Sequence, residues 1–203
     1  MSDAQLAVLA AAAARLVVEE GMEYAGAKRK AARAVRGHGR TDLPSNELVE
    51  AEVHAYLTLF CADTQPAELR ALRRLALRWM TRLAEFRPHL GGAVWRGTAT
   101  RLSSLHLDLY CDDPKVLEIT LINHGIAYDS ASLPGSDRGR RSEPVNLLSL
   151  SEHCAELDER VTILLAARDL DDLRGALKPD ARGQSWRGDA AALQALLEAE
   201  GGA

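Results

Sequence analysis

The spacing of hydrophobic and polar residues changes rhythm once along this 203-residue chain. Through residue 88, apolar side chains recur every three or four positions, as in helices with one buried face. Beyond it they fall in short runs, some strictly alternating, as in half-buried strands. Four helices are expected in the first stretch. Ser2–Glu20 consists almost wholly of helix formers and ends at Gly21. Met22–Val35 is a shorter, basic helix stopped by Gly-His-Gly-Arg at 37–40. The segment 41–46 reads as a turn, with Ser45 or Asn46 capping a helix that reaches about Phe60. Pro66 suits the first turn of a fourth helix running to Phe86. Its apolar face is Leu69, Leu72, Leu75, Ala76, Trp79, Leu83 and Phe86.

After Pro88 the reading is of strands. Ala93–Trp95 is a short apolar run bounded by glycines, and Leu105–Cys111 alternates strictly. Residues 115–123 and 126–132 look like a hairpin joined at Asn123-His124-Gly125. Residues 134–144 form a polar loop with no apolar anchor, and 145–150 and 160–167 are two further strand candidates. Residues 169–177 suggest a short helix and 178–188 a loop, after which Asp189 can cap a last helix, Ala190–Glu200. The expected class is therefore α+β. A helical region at 1–88 precedes a mixed or mainly antiparallel sheet and a C-terminal helix within 89–203.

Composition narrows the picture. The chain is 47% hydrophobic but only 4% aromatic, so its core must be Leu, Ala and Val with few large anchors. The net charge is −4, and the acidic excess lies beyond residue 90, which weighs against a dedicated nucleic-acid binder. Cys61, Cys111 and Cys154 lie far apart with no zinc-type spacing; their odd number fits reduced thiols in a cytoplasmic protein. Leu6–Val18 is apolar but short, and it follows an acid rather than a basic lead, unlike a signal peptide or a membrane span.

One stretch carries candidate chemistry: GGAVWRGTATRLSSLHLDLYCDD, Gly91 to Asp113. It resembles the nucleotidyltransferase superfamily related to polymerase β over roughly 30 residues. In that pattern a strand ends in Gly-Gly or Gly-Ser, a short helix follows, and the next strand carries two acids separated by one residue. Glycine lets backbone amides approach a triphosphate closely. Acids at i and i+2 share one face of a strand, where they can hold two hard cations. The resemblance implies an α+β fold of that superfamily, with Gly97, Thr98 and Arg101 on the phosphates of a nucleotide. It implies Asp108, assisted by His106, at the reaction centre, and magnesium or manganese as the metal. A third metal ligand would come from Glu118, Asp129 or Asp169. His106 stands where the pattern has an acid, and neutral imidazole is a poor magnesium ligand. The resemblance therefore implies a degenerate, weakly active or inactive member that retains nucleotide binding.

The whole chain also resembles a group of small proteobacterial proteins classed as UDP-N-acetylmuramate–alanine ligases, through LFCADTQPAEL, GGAVWRGTATRLS, CDDPK and DLDDLRGALKPD. Such ligases use a Gly-Lys-Thr phosphate loop, and the chain contains no Gly-Lys-Ser/Thr. The alternative to an enzyme is an interaction protein. Arg70, Arg73, Arg74, Arg78 and Arg82 make a basic stripe on the fourth helix, and Lys28, Arg29, Lys30, Arg33 and Arg36 cluster on the second. Such a surface could dock a protein or nucleic-acid partner. Few aromatics interleave with the arginines, so a single-strand stacking platform is not expected.

Overall fold

The computed structural model describes residues 3–36, 42–133, 145–175 and 183–201. The expected Gly-His-Gly-Arg stop, the 134–144 loop and the 178–182 part of the later loop lie outside the described residues. The fold is α+β, with helices first, a six-stranded mixed sheet and a final helix. Helices α1 (Asp3–Glu20), α2 (Tyr24–Arg36), α3 (Asn46–Phe60) and α4 (Gln65–Arg82) follow the periodicity of the sequence. Ser45 caps α3, its Oγ accepting from the Leu48 amide at 3.1 Å, and α4 gives way to a 3₁₀ turn at Ala84–Phe86. No helix among the described residues is long and apolar enough to cross a membrane.

Two compact units result. The first comprises residues 1–69 with 98–103, the second residues 70–97 with 104–203. This division does not follow the change of pattern at Pro88, because most of α4 belongs with the sheet. In the first unit α1 packs on both α2 and α3. Ala10, Ala13, Ala14 and Ala27 are at most 1% exposed, so small side chains bring the helices together where aromatics are scarce.

The sheet of the second unit runs β3-β4-β5-β2-β1-β6. Its strands are β1 (His89–Gly91), β2 (Leu105–Tyr110), β3 (Asp129–Leu133), β4 (Val145–Cys154), β5 (Glu159–Arg168) and β6 (Arg187–Gly188). Among the described residues only β2 and β5 pair in parallel. Alternation sorts the side chains into two faces. Leu105, Leu107 and Leu109 share one face with Ile163, Leu165 and Leu148, all fully buried. His106, Asp108 and Tyr110 point to the other.

Two sequence expectations fail here. Ala93–Trp95 is not a strand but lies inside a five-residue helix, α5 (Gly92–Arg96). Five residues are too few for a helical period to show. Residues 115–123 are not half of a hairpin but lie within helix α6 (Pro114–Asn123). Asp113 caps it, accepting from the Lys115 amide at 2.9 Å, and Pro114 occupies its first position. Leu117 and Leu121, four apart, are its buried residues, and α6 packs on β5. The 169–177 helix is a 3₁₀ turn at Leu170–Gly175. Asp189 caps α7 (Ala190–Gly201), accepting from the Ala192 amide at 2.8 Å.

Candidate functional site

The polar face of β2 carries His106, Asp108 and Tyr110, and charged side chains from β5 and β6 meet there. Asp108 is 8% exposed, and its carboxylate is held from both sides. Arg168, at the end of β5, donates from Nε to Oδ1 at 2.8 Å, and Arg187, on β6, donates from Nε to Oδ2. The geometry follows from register. Arg168 lies beside Tyr110 in the parallel pair and, on the same face, reaches Asp108 two residues back. Arg187 pairs with Gly91, whose other neighbour is His106, so it enters the same face from the opposite edge.

The segment that delivers Arg187 is itself braced. Trp95 of α5 donates from Nε1 to the Ser185 carbonyl at 2.8 Å, and a Cβ on Gly188 would fall inside the Trp95 ring. Ser185 Oγ bonds both the amide and the carbonyl of Arg187. Arg96 stacks on Trp186, its guanidinium 4.5 Å from the ring centre. His89, opposite Asp108 on β1, is buried and meets Tyr110 edge-on at 5.2 Å. Burial, and then the Asp108 carboxylate, push the Tyr110 phenol above its usual range, with Arg187 and Arg168 opposing. Burial, and then Asp113, raise the Cys111 thiol, which stays protonated rather than nucleophilic.

The expected site residues are divided between the two units: Thr98 and Arg101 fall in the first, Gly97, His106 and Asp108 in the second. Gly97 ends α5 in the left-handed conformation (φ 83°), and a Cβ there would lie 3.7 Å from the Arg73 guanidinium. Thr98 is buried in the first unit with its Oγ1 3.4 Å from the Tyr24 hydroxyl. Arg101 is exposed there, its amide donating to Glu68 at 2.9 Å. The glycine that does adjoin the β2 face is Gly92: at φ 66° it leaves room for a Cβ only 3.3 Å from the His106 ring. The strand-to-helix glycines are thus Gly91 and Gly92, not Gly97 and Thr98. Gly92→Ala should cost about 1–2 kcal/mol of stability from the left-handed backbone alone, readable by urea unfolding. An unchanged midpoint would show that this connection relaxes freely.

The three proposed metal ligands are separated by topology. Glu118 belongs to α6 and takes bonds from Tyr128 (3.2 Å) and Asn146 (2.9 Å). Asn146 shares its face with Leu148, so Glu118 lies across the sheet from Asp108. Asp129 lies on the same face as Asp108, in one row with Ser149, Leu164 and His106, but three strand spacings from β2, about 14 Å. Among the described residues no three His, Cys, Asp or Glu side chains could hold a metal ion together. Asp108 has its oxygens on guanidiniums, so these residues do not fit a magnesium or manganese centre.

The basic stripe is divided: Arg73 turns inward, whereas Arg74, Arg78 and Arg82 are exposed. Arg73 is buried, donating to the Val94 and Trp95 carbonyls and pairing with Glu200. Arg70 donates to the Glu200 carbonyl, Arg74 pairs with Glu156, and Arg82 lies 5.3 Å over Trp79. Sequence reasoning missed Arg168 and Arg187. Arg168 ends an alternating run and shares the register of Leu164 and Ala166, a usable signal; Arg187, in Gln-Ser-Trp-Arg-Gly, had none. No protein-family model, curated protein or solved structure matches the chain.

Proposed function

We propose that the protein is a nucleotidyltransferase-like module without two-metal catalysis, acting in the cytoplasm as a nucleotide-binding rather than a nucleotide-transferring protein. The observation that carries this reading is the double ion pair at Asp108. A carboxylate paired with two guanidiniums already has its charge compensated, and the two cations beside it repel a metal ion; its partner position holds His106 instead of an acid. Support for the superfamily comes from element order: β1 ends at Gly91, Gly92 opens a short helix, and β2 carries positions 106 and 108 on one face. The three cysteines, all unpaired, suit a reducing compartment.

The test is to incubate the full chain with each nucleoside triphosphate and magnesium or manganese, measuring pyrophosphate release and melting temperature. The expected result is no release above the blank and a higher melting temperature. Ligand at a hundredfold excess over Kd stabilises by about 2.7 kcal/mol, or about 5–10 °C at this size. Metal-dependent release that Asp108→Asn abolishes would make the protein an active transferase. No shift with any nucleotide would leave the second reading, an interaction protein. The observation favouring that one is apolar rather than basic: Leu59 and Phe60 end α3 at 74% and 69% exposure.

A further inference from the structure

The Asp108 cluster holds more cationic donors than its carboxylate uses. Arg168 and Arg187 each give Asp108 one N–H, from Nε. A guanidinium carries five such donors in a rigid fork. Among the described residues neither side chain has a further hydrogen-bond or ion-pair partner. The arginine side chains keep 27% and 33% of their exposure against 11% for the Asp108 side chain. The carboxylate is the deep partner, and it fixes two guanidiniums whose remaining donors are open to solvent.

We propose that Arg168 and Arg187, oriented by Asp108, form a metal-independent site for the phosphoryl oxygens of a polyphosphate chain. Two planar forks, reaching Asp108 from β5 on one side and from β6 beyond β1 on the other, match an oxyanion with several acceptor oxygens, and charge-assisted bonds of this kind are the strong ones. The ligand must be multiply charged. Asp108 already cancels one of the two positive charges, so a monoanion gains little where a polyanion still gains. In the two-metal pattern a strand carboxylate holds inorganic cations against phosphate; here the same carboxylate holds organic ones. Opposing the ligand is Asp172, exposed on the Leu170–Gly175 turn and close enough to act on Tyr110 alongside the cluster. The site stands on Asp108 and its two partners, whether or not the superfamily resemblance holds.

Calorimetric titration of the full chain with inorganic tripolyphosphate and with ATP, both in EDTA, tests it. Both should bind without metal. Arg187→Gln should weaken tripolyphosphate binding about tenfold, the effect of losing a charged hydrogen bond. Asp172→Asn removes a repelling charge at an exposed position and should tighten binding about twofold. The site is overturned by the absence of binding to either probe, by binding that requires magnesium, or by affinity that Arg187→Gln leaves unchanged. Should Arg187→Gln fail to fold, Asp172→Asn decides alone, and unchanged affinity there counts against the site. ATP binding no tighter than tripolyphosphate would keep the anion site and remove the nucleotide reading; tighter ATP binding supports both.

Discussion

Replacing Arg73 with methionine should lower the melting temperature by about 10 °C. The side chain is 6% exposed and ties three elements of the sheet unit together. From α4 it donates to the Val94 and Trp95 carbonyls at 3.0 and 3.1 Å, two of the orphan acceptors at the end of α5. It also pairs with Glu200 of α7. Burial lowers the Arg73 pKa and Glu200 works against that, so the ion pair helps hold the charge in place. Methionine fills much of the volume but leaves Glu200 without its cation. Glu200 Oε2 is already buried with no hydrogen-bond partner among the described residues, so little else can compensate. Breaking a buried pair by removing one partner costs about 3–5 kcal/mol; Glu200, 30% exposed, places this one at the low end, and a chain of this length loses about 2–4 °C per kcal/mol. The control is Arg74→Met, one residue on, where the pair with Glu156 is 54% and 39% exposed. It should change stability by less than about 1 kcal/mol. Removing both partners, in Arg73→Met with Glu200→Leu, should recover part of the loss. Equal melting of Arg73→Met and Arg74→Met would refute the buried tie.

That contrast also shows what the sequence disclosed. The sequence places Arg73 with Arg70, Arg74, Arg78 and Arg82 on one basic stripe. Yet it sits four residues after Leu69, three before Ala76 and seven before Met80, all buried in α4. Its place in an apolar row was a legible sign of a buried cation. Helix caps were equally legible: Ser45 and Asp189 both cap as their positions suggested, because a cap is local chemistry. Helix α6 was misread for an identifiable reason. Val116, Ile119 and Ile122 are apolar and exposed, so the segment is apolar all round and its β-branched residues mimic a strand. Asp113-Pro114 was the overlooked helix start. Of the Asp108 cluster, alternation discloses the facing of Asp108 and of Arg168 but not that they meet, since the two partners of Asp108 lie 60 and 79 residues away. Register across three strands brings them together, and register is not written locally.

Asp108→Asn should destabilise the sheet unit by about 2 kcal/mol, and the sign of the change matters more than its size. In a metal centre without its metal, clustered carboxylates repel one another, and removing one relaxes the fold or leaves it unchanged. In the arrangement seen here Asp108 pairs with both guanidiniums, and asparagine leaves them facing each other without that charge. The cost stays below that of a fully buried pair because the arginines are 27% and 33% exposed and water screens part of their repulsion. Two further measurements bind the loss to this cause. Raising ionic strength should narrow the gap between Asp108→Asn and wild type, since the repulsion left behind is between partly solvated charges. In an Arg187→Gln background the same substitution should cost less, because one of the two repelling cations is gone, with a coupling energy of about 1 kcal/mol in a double-mutant cycle. Urea unfolding of the four proteins at two salt concentrations gives all of these values. A stability at or above wild type for Asp108→Asn would mean that the carboxylate is not held as a clamp, and the metal-centre reading of β2 would regain its footing.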